Sequence, residues 1–158
     1  MCKEMTLNGT LSLSCPDGFH VMNEEERASL KLLGKGPGEV LADPERHILL
    51  SIGWKPIGGL TALLLSSKDA FRGMRPQLLK ALKPFFCKET GRFSALIGGE
   101  KAEGLSYEYE SGGIGMSGRS YVVKHGKAFY FLHFYVRTAL QEESLPVCDG
   151  ILESVSWV

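Results

Sequence analysis

Two glutamates, Glu108 and Glu110, have a spacing that could support acid–base chemistry. They lie two positions apart in a segment where apolar and polar residues alternate, so a strand would place both carboxylates on one face, about 7 Å apart. Paired carboxylates can divide the acid and base roles of a hydrolytic reaction. Neighbouring acids on an exposed strand are more often a solvated surface, which can still bind a basic partner. We therefore interpret Glu108 and Glu110 as binding residues.

The segment 111–119, SGGIGMSGR, is the second candidate site. Its four glycines could bring backbone N–H groups close to an anion, with Arg119 as a bidentate partner. The alternative is a flexible or bulged connection between two strands. The segment lacks the G-x-S-x-G spacing that marks a nucleophile elbow. The sequence therefore predicts at most an anion-binding loop over residues 112–119, with Arg119 as its charged contact.

Other reactive residue types are scattered along the chain. Trp54 precedes a Pro/Gly loop and could be a recognition residue, although packing against the core is favoured because large aromatics are mostly buried. His133 lies in an aromatic run that is typical of a core histidine. No histidine has metal-ligand spacing with a cysteine, and no nucleophile has an identifiable base. We expect no metal, no cofactor and no catalytic residues, although groups that assemble only in space escape this reasoning.

Three strands must position these residues, and alternation predicts them at 105–111, 119–125 and 128–136. The third strand is apolar or aromatic on both faces, which indicates a central strand that is covered on both sides. The first strand is apolar on one face and polar on the other, which indicates a half-solvated strand nearer an edge.

The turn between the second and third strands has two possible registers. Gly126-Lys127 can form a two-residue turn with glycine first. A turn at His125-Gly126 would place Lys124 directly opposite Lys127, and directly opposed like charges are unfavourable. We therefore predict the Gly126-Lys127 turn.

The remaining elements follow from periodicity and from the positions of Gly and Pro. Asn23 and Glu26 indicate a capping box at a helix start, and residues 34–38 are expected to form a helix-exit loop instead of a phosphate cradle. Residues 60–65 are compatible with either a strand or a helix lead-in. The expected strands are 6–14, 40–42, 47–54, 93–98 and a possible closing strand at 154–158; the expected helices are 23–34, a helix from 66 to 86 divided near Pro76, and 141–154 with Pro146 in its first turn.

Length and composition bound the protein class. The chain has 158 residues and a formal net charge of zero, which favours one domain over 1–158 and argues against a nucleic-acid partner. No apolar run reaches membrane-spanning length. Four cysteines, at 2, 15, 87 and 148, form no C-x-x-C pair and are expected to be free thiols in a reducing compartment. Since the first fifteen residues lack a signal core, we expect a cytoplasmic protein or one whose leader is missing here.

A family resemblance is carried by three short motifs. These are Cys15-Pro16-Asp17-Gly18-Phe19 after the first strand, the hairpin 121–134 around Gly126-Lys127, and Ile151-Leu152-Glu153-Ser154-Val155 near the end. With the order of elements, they make the chain similar to the PsbP-like family, which includes the photosystem II extrinsic protein, the nuclear Ran-binding Mog protein and bacterial lipoproteins.

The resemblance implies an α+β fold, with an antiparallel β-sheet flanked by helices on both faces in an α/β/α sandwich. It also implies a non-catalytic binding or assembly role with a protein partner that remains unknown. No motif allows the family's contact residues to be carried over. The alternative is a small-molecule or anion-binding protein, or an enzyme, that uses the 112–119 loop.

Overall fold

The structure is a computed structural model that describes residues 2–30 and 36–158. It contains ten strands, four α-helices and two single 3-10 turns, at Lys83–Phe85 and Thr138–Leu140, within these residues. In chain order the elements are β1 Cys2–Leu7, β2 Leu11–Pro16, β3 His20–Val21, α1 Glu24–Ala28, β4 Gly38–Asp43, β5 Ile48–Pro56, α2 Gly59–Leu64, α3 Ser67–Leu82, β6 Lys88–Ile97, β7 Glu100–Ser111, β8 Ile114–His125, β9 Ala128–Arg137, α4 Gln141–Glu153 and β10 Ser156–Trp157.

A seven-stranded antiparallel sheet dominates the fold, in the order β3-β4-β5-β9-β8-β7-β6. A second antiparallel sheet has the order β1-β2-β10. The strand β9 lies at the centre of the large sheet, as its two apolar faces predict. The strand β7 is the neighbour of the edge strand β6, which agrees with its half-solvated pattern.

Each face of the large sheet carries its own apolar cluster. On one face, α3 packs over Leu105, Tyr107, Tyr109 and Tyr135. On the other face, α4 and the small sheet pack over alternate residues of β8 and β9, namely Tyr121, Val123, Tyr130, Leu132, Phe134 and Val136. The predicted α+β fold, an antiparallel sheet with helices on both faces, is confirmed.

The predicted register of the central hairpin is also confirmed. His125 pairs with Ala128, so Gly126 and Lys127 are the two turn residues. Gly126 has a φ of 58°, which glycine adopts without the steric penalty of a Cβ atom. The turn residues therefore specify the pairing of the two most buried strands.

The expected single strand over residues 6–14 is wrong. The chain forms a hairpin there, in which Leu7 pairs with Leu11. Asn8 and Gly9 at its tip have φ values of 53° and 62°, which is the backbone that Asn-Gly favours in a two-residue hairpin turn. Alternation continued through the turn because leucines lie on both sides of it.

The helices differ from expectation where proline and glycine occur. The capping box of Asn23 and Glu26 forms, but α1 ends at Ala28, and the predicted end at Gly34 lies outside the described residues. The expected loop at 34–38 is described only from Gly36 onward, and Gly38 already begins β4. Residues 60–65 are helical for the most part, as α2.

Two prolines lie inside helices that were expected to break or begin at them. The helix α3 is continuous through Pro76, so its predicted division is wrong. Pro76 is exposed, and water can therefore reach the Arg72 carbonyl group that loses its helical donor. Pro146 occupies the second turn of α4 instead of the first.

Candidate functional site

The carboxylates of Glu108 and Glu110 lie on the α4 side of β7, and both residues are exposed. Glu108 is paired with Lys88 of the edge strand and with Ser117 of β8. Glu110 is paired with Gly115, close to the turn that follows β7. This is the solvated acidic surface that the alternation predicted, and its role in binding stays a prediction.

The expected anion-binding loop over residues 112–119 does not exist as a loop. Ser111 pairs with Ile114, so only Gly112 and Gly113 lie between β7 and β8. Their φ values of 58° and 80° define a tight hairpin turn, since both are positive. Two glycines were sufficient for the turn, and the other residues of the segment continue the strand.

Arg119 lies in the middle of β8 and already has an acidic partner. Its Nη1 atom donates a hydrogen bond to Oδ1 of Asp149, at 3.0 Å. The pair links the sheet to α4. Arg119 therefore has a structural contact in addition to its predicted role as an anion ligand.

Trp54 packs against the core on the α4 side of the sheet and is partly buried. It pairs with Tyr130 near the far end of β5, at the end of the sheet opposite the Gly112-Gly113 turn. The structure therefore places Trp54 in the packing role that was favoured. It does not bring Trp54, Arg119 and the two glutamates together into one site.

A chain of polar side chains, buried at Tyr107 and Ser120 and half-buried at His133, was not predicted. The Tyr107 hydroxyl and the Ser120 hydroxyl are 2.8 Å apart, and Ser120 Oγ is 2.6 Å from His133 Nδ1. The register explains the contact, because Ser120 pairs with His133 across β8 and β9. Burial lowers the pKa of His133 to about 4, so this histidine is neutral near pH 7.

The Ser120–His133 pair resembles part of a catalytic triad only in its residue types. The Ser120 side chain has 0% exposure and Tyr107 has 1%, so no substrate reaches the hydroxyl group. Among residues 2–30 and 36–158, no carboxylate forms a hydrogen bond or ion pair with His133. We interpret the chain as a hydrogen-bonded core histidine, which is the role that its aromatic neighbours predicted.

A cavity of about 550 Å³ lies on the α3 side of the sheet, at the end that carries the Gly112-Gly113 turn. We call it the end cavity. Its walls are mostly apolar. They are formed by the ends of β4, β5, β7, β8 and β9, by α1 and by the turn after α3. The apolar residues that line it are Met22, Leu30, Ala42, Pro44, Ile48, Leu49, Phe85, Tyr109, Ile114, Met116 and Tyr135. Alternation placed Tyr109 and Tyr135 on covered faces, but no local pattern predicts an opening between these elements.

Charged side chains surround the end cavity. The His20 Nε2 and Glu26 Oε2 atoms are 3.1 Å apart, and the backbone N–H of Asn23 and then His20 lower the pKa of Glu26. The buried Asp43 carboxylate is paired with the Arg46 guanidinium. The Arg137 guanidinium forms no hydrogen bond or ion pair with another residue of the described part of the chain.

The residues that the structure describes were compared with the requirements of a metal site and of a membrane-spanning helix. Among these residues, no group of three or more His, Cys, Asp or Glu side chains is placed to hold a metal ion. Likewise, no helix that the structure describes is long and apolar enough to cross a bilayer. Cys87 and Cys148 are free thiols.

Comparison with solved structures shows that the chain has a PsbP-like fold. It aligns over 99% of its length with 92% of cyanobacterial PsbP (CyanoP) from Synechocystis sp. PCC 6803, at 13% identity and a TM-score of 0.73. It aligns over 99% with 91% of LpqN, involved in cell envelope biogenesis of Mycobacterium tuberculosis, at 17% identity and a TM-score of 0.59.

A Pseudomonas aeruginosa protein of unknown function aligns over 97% of this chain and 94% of its own, at 16% identity and a TM-score of 0.50. No family model matches the sequence, and no curated protein matches it. At these identities the likeness shows the fold alone.

Proposed function

We propose that this protein is a non-catalytic interaction domain that holds a protein partner at the end cavity. The observation that carries the proposal is an apolar cavity of about 550 Å³ with Arg137 at its wall, unpaired among the described residues. Apolar side chains of the partner enter the cavity, and an acidic group beside them pairs with Arg137. Buried aromatic or aliphatic anchors supply most of the energy in such contacts.

The composition of the walls supports a protein partner. Met22 and Met116 line the cavity, and the flexible, polarisable methionine side chain adapts to differently shaped apolar groups. The charged groups at the cavity carry both signs, which suits a polar rim that selects the orientation of a peptide. The acidic surface of Glu108 and Glu110 begins at the same end of the sheet, and we include it as a secondary contact for basic residues of the partner.

The absence of an accessible catalytic constellation among the described residues also supports a binding role. The Ser120 and Tyr107 side chains are buried, so the hydroxyl group beside His133 is closed to substrate. The family resemblance implies binding or assembly subunits, and we extend that role to this chain as part of the proposal. We also propose a cytoplasmic location, which the free thiols of Cys87 and Cys148 support.

Panning of a random peptide library against the immobilised protein tests the proposal. We expect enriched peptides that combine a large apolar residue with Asp or Glu. The Ile114→Glu variant places a charge at the cavity, and Arg137→Gln removes its free cation; both should weaken binding of the enriched peptides at least tenfold. Leu96→Glu and Arg92→Gln are the matched controls, because these residues lie outside the end cavity, and they should bind normally.

A small-molecule ligand is the second candidate, because the cavity volume lies within the range of roughly 300–1,000 Å³ that is typical of ligand pockets. A thermal-shift screen against anionic metabolites separates the two. If a metabolite raises the melting temperature, if Arg137→Gln abolishes the rise, and if no peptide is enriched, the small-molecule function replaces the proposed one. Enriched peptides whose binding is unaffected by both cavity variants would place the interaction elsewhere.

A further inference from the structure

The helix α2 exposes nearly all of its apolar side chains. Leu60, Leu63 and Leu64 are 72%, 84% and 72% exposed, and Leu65 directly after the helix is also exposed. We call these four residues the leucine tip. It lies at the end of the sheet opposite the end cavity, beside the Gly126-Lys127 turn, where the Ile57 N–H donates to the Lys127 carbonyl. Four adjacent exposed leucines form a patch that folding of this chain leaves unburied.

Few interactions among the described residues hold α2 in place. Its N-cap residue, Gly58, provides no side-chain hydrogen bond. The Lys124 ammonium group donates to the carbonyls of Ala62 and Leu65, the latter at 2.7 Å. A six-residue helix is not stable alone in water. The hydrogen bonds of Lys124 therefore hold a short helix whose leucine side chains face the solvent.

The surroundings of the leucine tip are basic. The segments 54–72, 96–103 and 123–129 lie at this end of the molecule and contain six Lys or Arg but three Asp or Glu, in a chain whose total is neutral. Lys55 precedes α2, Lys68 opens α3 and Lys127 lies in the adjoining turn; all three are exposed. Among the three acids, Glu100 contacts His125 and Asp69 caps α3. An apolar centre with a cationic rim is complementary to a surface that is apolar inside and anionic outside.

We propose that the leucine tip inserts into the interfacial region of an anionic lipid bilayer and docks the protein there as a peripheral membrane protein. Leucines that enter the headgroup boundary and lysines that face anionic lipids are the two components of such binding.

A second copy of the chain fits the tip less well. A two-fold contact would set the same lysines against each other, and stable protein interfaces bury about 800 Å² per partner from some 20–30 residues, far more than one six-residue helix offers.

Vesicle co-sedimentation tests this with two compositions, phosphatidylcholine alone and phosphatidylcholine with 30% phosphatidylglycerol. We expect at least tenfold stronger partitioning to the anionic vesicles, with weakening at 0.5 M NaCl because salt screens the lysines. A Leu63→Ser, Leu64→Ser double variant should lose at least tenfold, because several methyl and methylene groups no longer leave water. Phe86→Ser is the matched control, since Phe86 is 79% exposed at the other end of the sheet.

Each alternative has its own outcome. Absence of binding to either vesicle by the folded protein overturns the proposal, as does binding that the leucine variant leaves unchanged. Sedimentation velocity of the same samples identifies self-association: an oligomer that the leucine variant dissociates, without vesicle binding, assigns the tip to a second copy. A peptide ligand that the leucine variant no longer binds assigns it to a protein partner. Because the end cavity is not altered in these variants, the proposed function is tested separately.

Discussion

His133 should make this protein less stable in acid. Its ring accepts or donates at Ser120, depending on the tautomer, and burial lowers its pKa from 6.5 to about 4. In the unfolded chain the same side chain is solvated and titrates near 6.5. Between these two pH values the unfolded state binds one proton more than the folded state.

The sign and the size of the effect follow from linkage. Where the unfolded state binds more protons, stability rises with pH. The contribution of His133 is therefore complete above pH 6.5 and is lost as the pH falls through 4. Each pKa unit corresponds to 1.36 kcal/mol, so the free energy of unfolding should decrease by about 3 kcal/mol between pH 7 and pH 4 through this residue.

The assay is urea unfolding of the wild type and of the His133→Asn variant at pH 7, 6, 5 and 4. Asparagine can retain the hydrogen bond to Ser120 but does not titrate. Carboxyl groups whose pKa is lowered in the fold, such as Glu89, also reduce the free energy of unfolding when acid protonates them. This reduction is the same in both proteins. Between pH 7 and pH 4 the free energy of unfolding of the wild type should therefore fall by about 3 kcal/mol more than that of the variant.

Parallel pH profiles would refute this reasoning. They would mean that the His133 ring is protonated in the folded protein near its ordinary pKa, and hence that it is solvated. An NMR titration of the ring protons decides the point independently, with a midpoint near 4 expected and a midpoint near 6.5 contradicting the burial.

Two further predictions concern packing and ion pairing. Gly118→Ala should lower the free energy of unfolding, measured in urea, by about 2 kcal/mol or more, because a Cβ atom would lie 2.3 Å from the buried Tyr107 ring. Gly115→Ala on the same strand is the control: its Cβ atom would meet nothing closer than 3.6 Å, so the free energy of unfolding should be nearly unchanged. Arg75→Gln should raise the pKa of the Glu89 carboxyl, which two hydrogen bonds from Arg75 lower; an unchanged midpoint in an NMR titration would show that this pair does not persist in solution.

The core of the fold was predictable because its signals are local. Alternation along residues 128–136 revealed a strand covered on both faces, and the charges of Lys124 and Lys127 distinguished two possible turns. The capping box at Asn23 was also predicted from the residue types alone. Each of these depends on residues within a few positions of each other, so no tertiary information was needed.

The errors arose where local signals conflicted. Asn8-Gly9 is a strong turn signal, but leucines on both sides continued the alternation across it. The glycines of residues 112–118 suggested a loop, although two of them suffice for a turn and Gly118 is needed in the strand for the Tyr107 ring. Glycine in a strand can mark a close approach of another group, and sequence alone does not separate that role from flexibility.

The buried polar chain lay within reach of the sequence, whereas the end cavity did not. Once Gly126-Lys127 is chosen as the turn, counting outward places Ser120 opposite His133, and two polar residues facing each other on a covered face predict a hydrogen bond. The end cavity is different in kind, since it depends on how α1 and the turn after α3 fail to close over the ends of five strands. Such gaps depend on how helices and strands pack together, and they produce no periodic pattern in the sequence.

The two proposed surfaces lie at opposite ends of the same strands, and this arrangement has a mechanical consequence. The strand β8 begins beside the end cavity at Ile114 and ends beside the leucine tip at His125. Twelve residues of strand span roughly 35–40 Å. A protein docked on a bilayer through the tip would therefore hold the end cavity well beyond the headgroups, facing water. Because the length of the sheet separates the surfaces, we expect that occupation of one does not block the other, and that a partner held in the end cavity can be brought to the membrane.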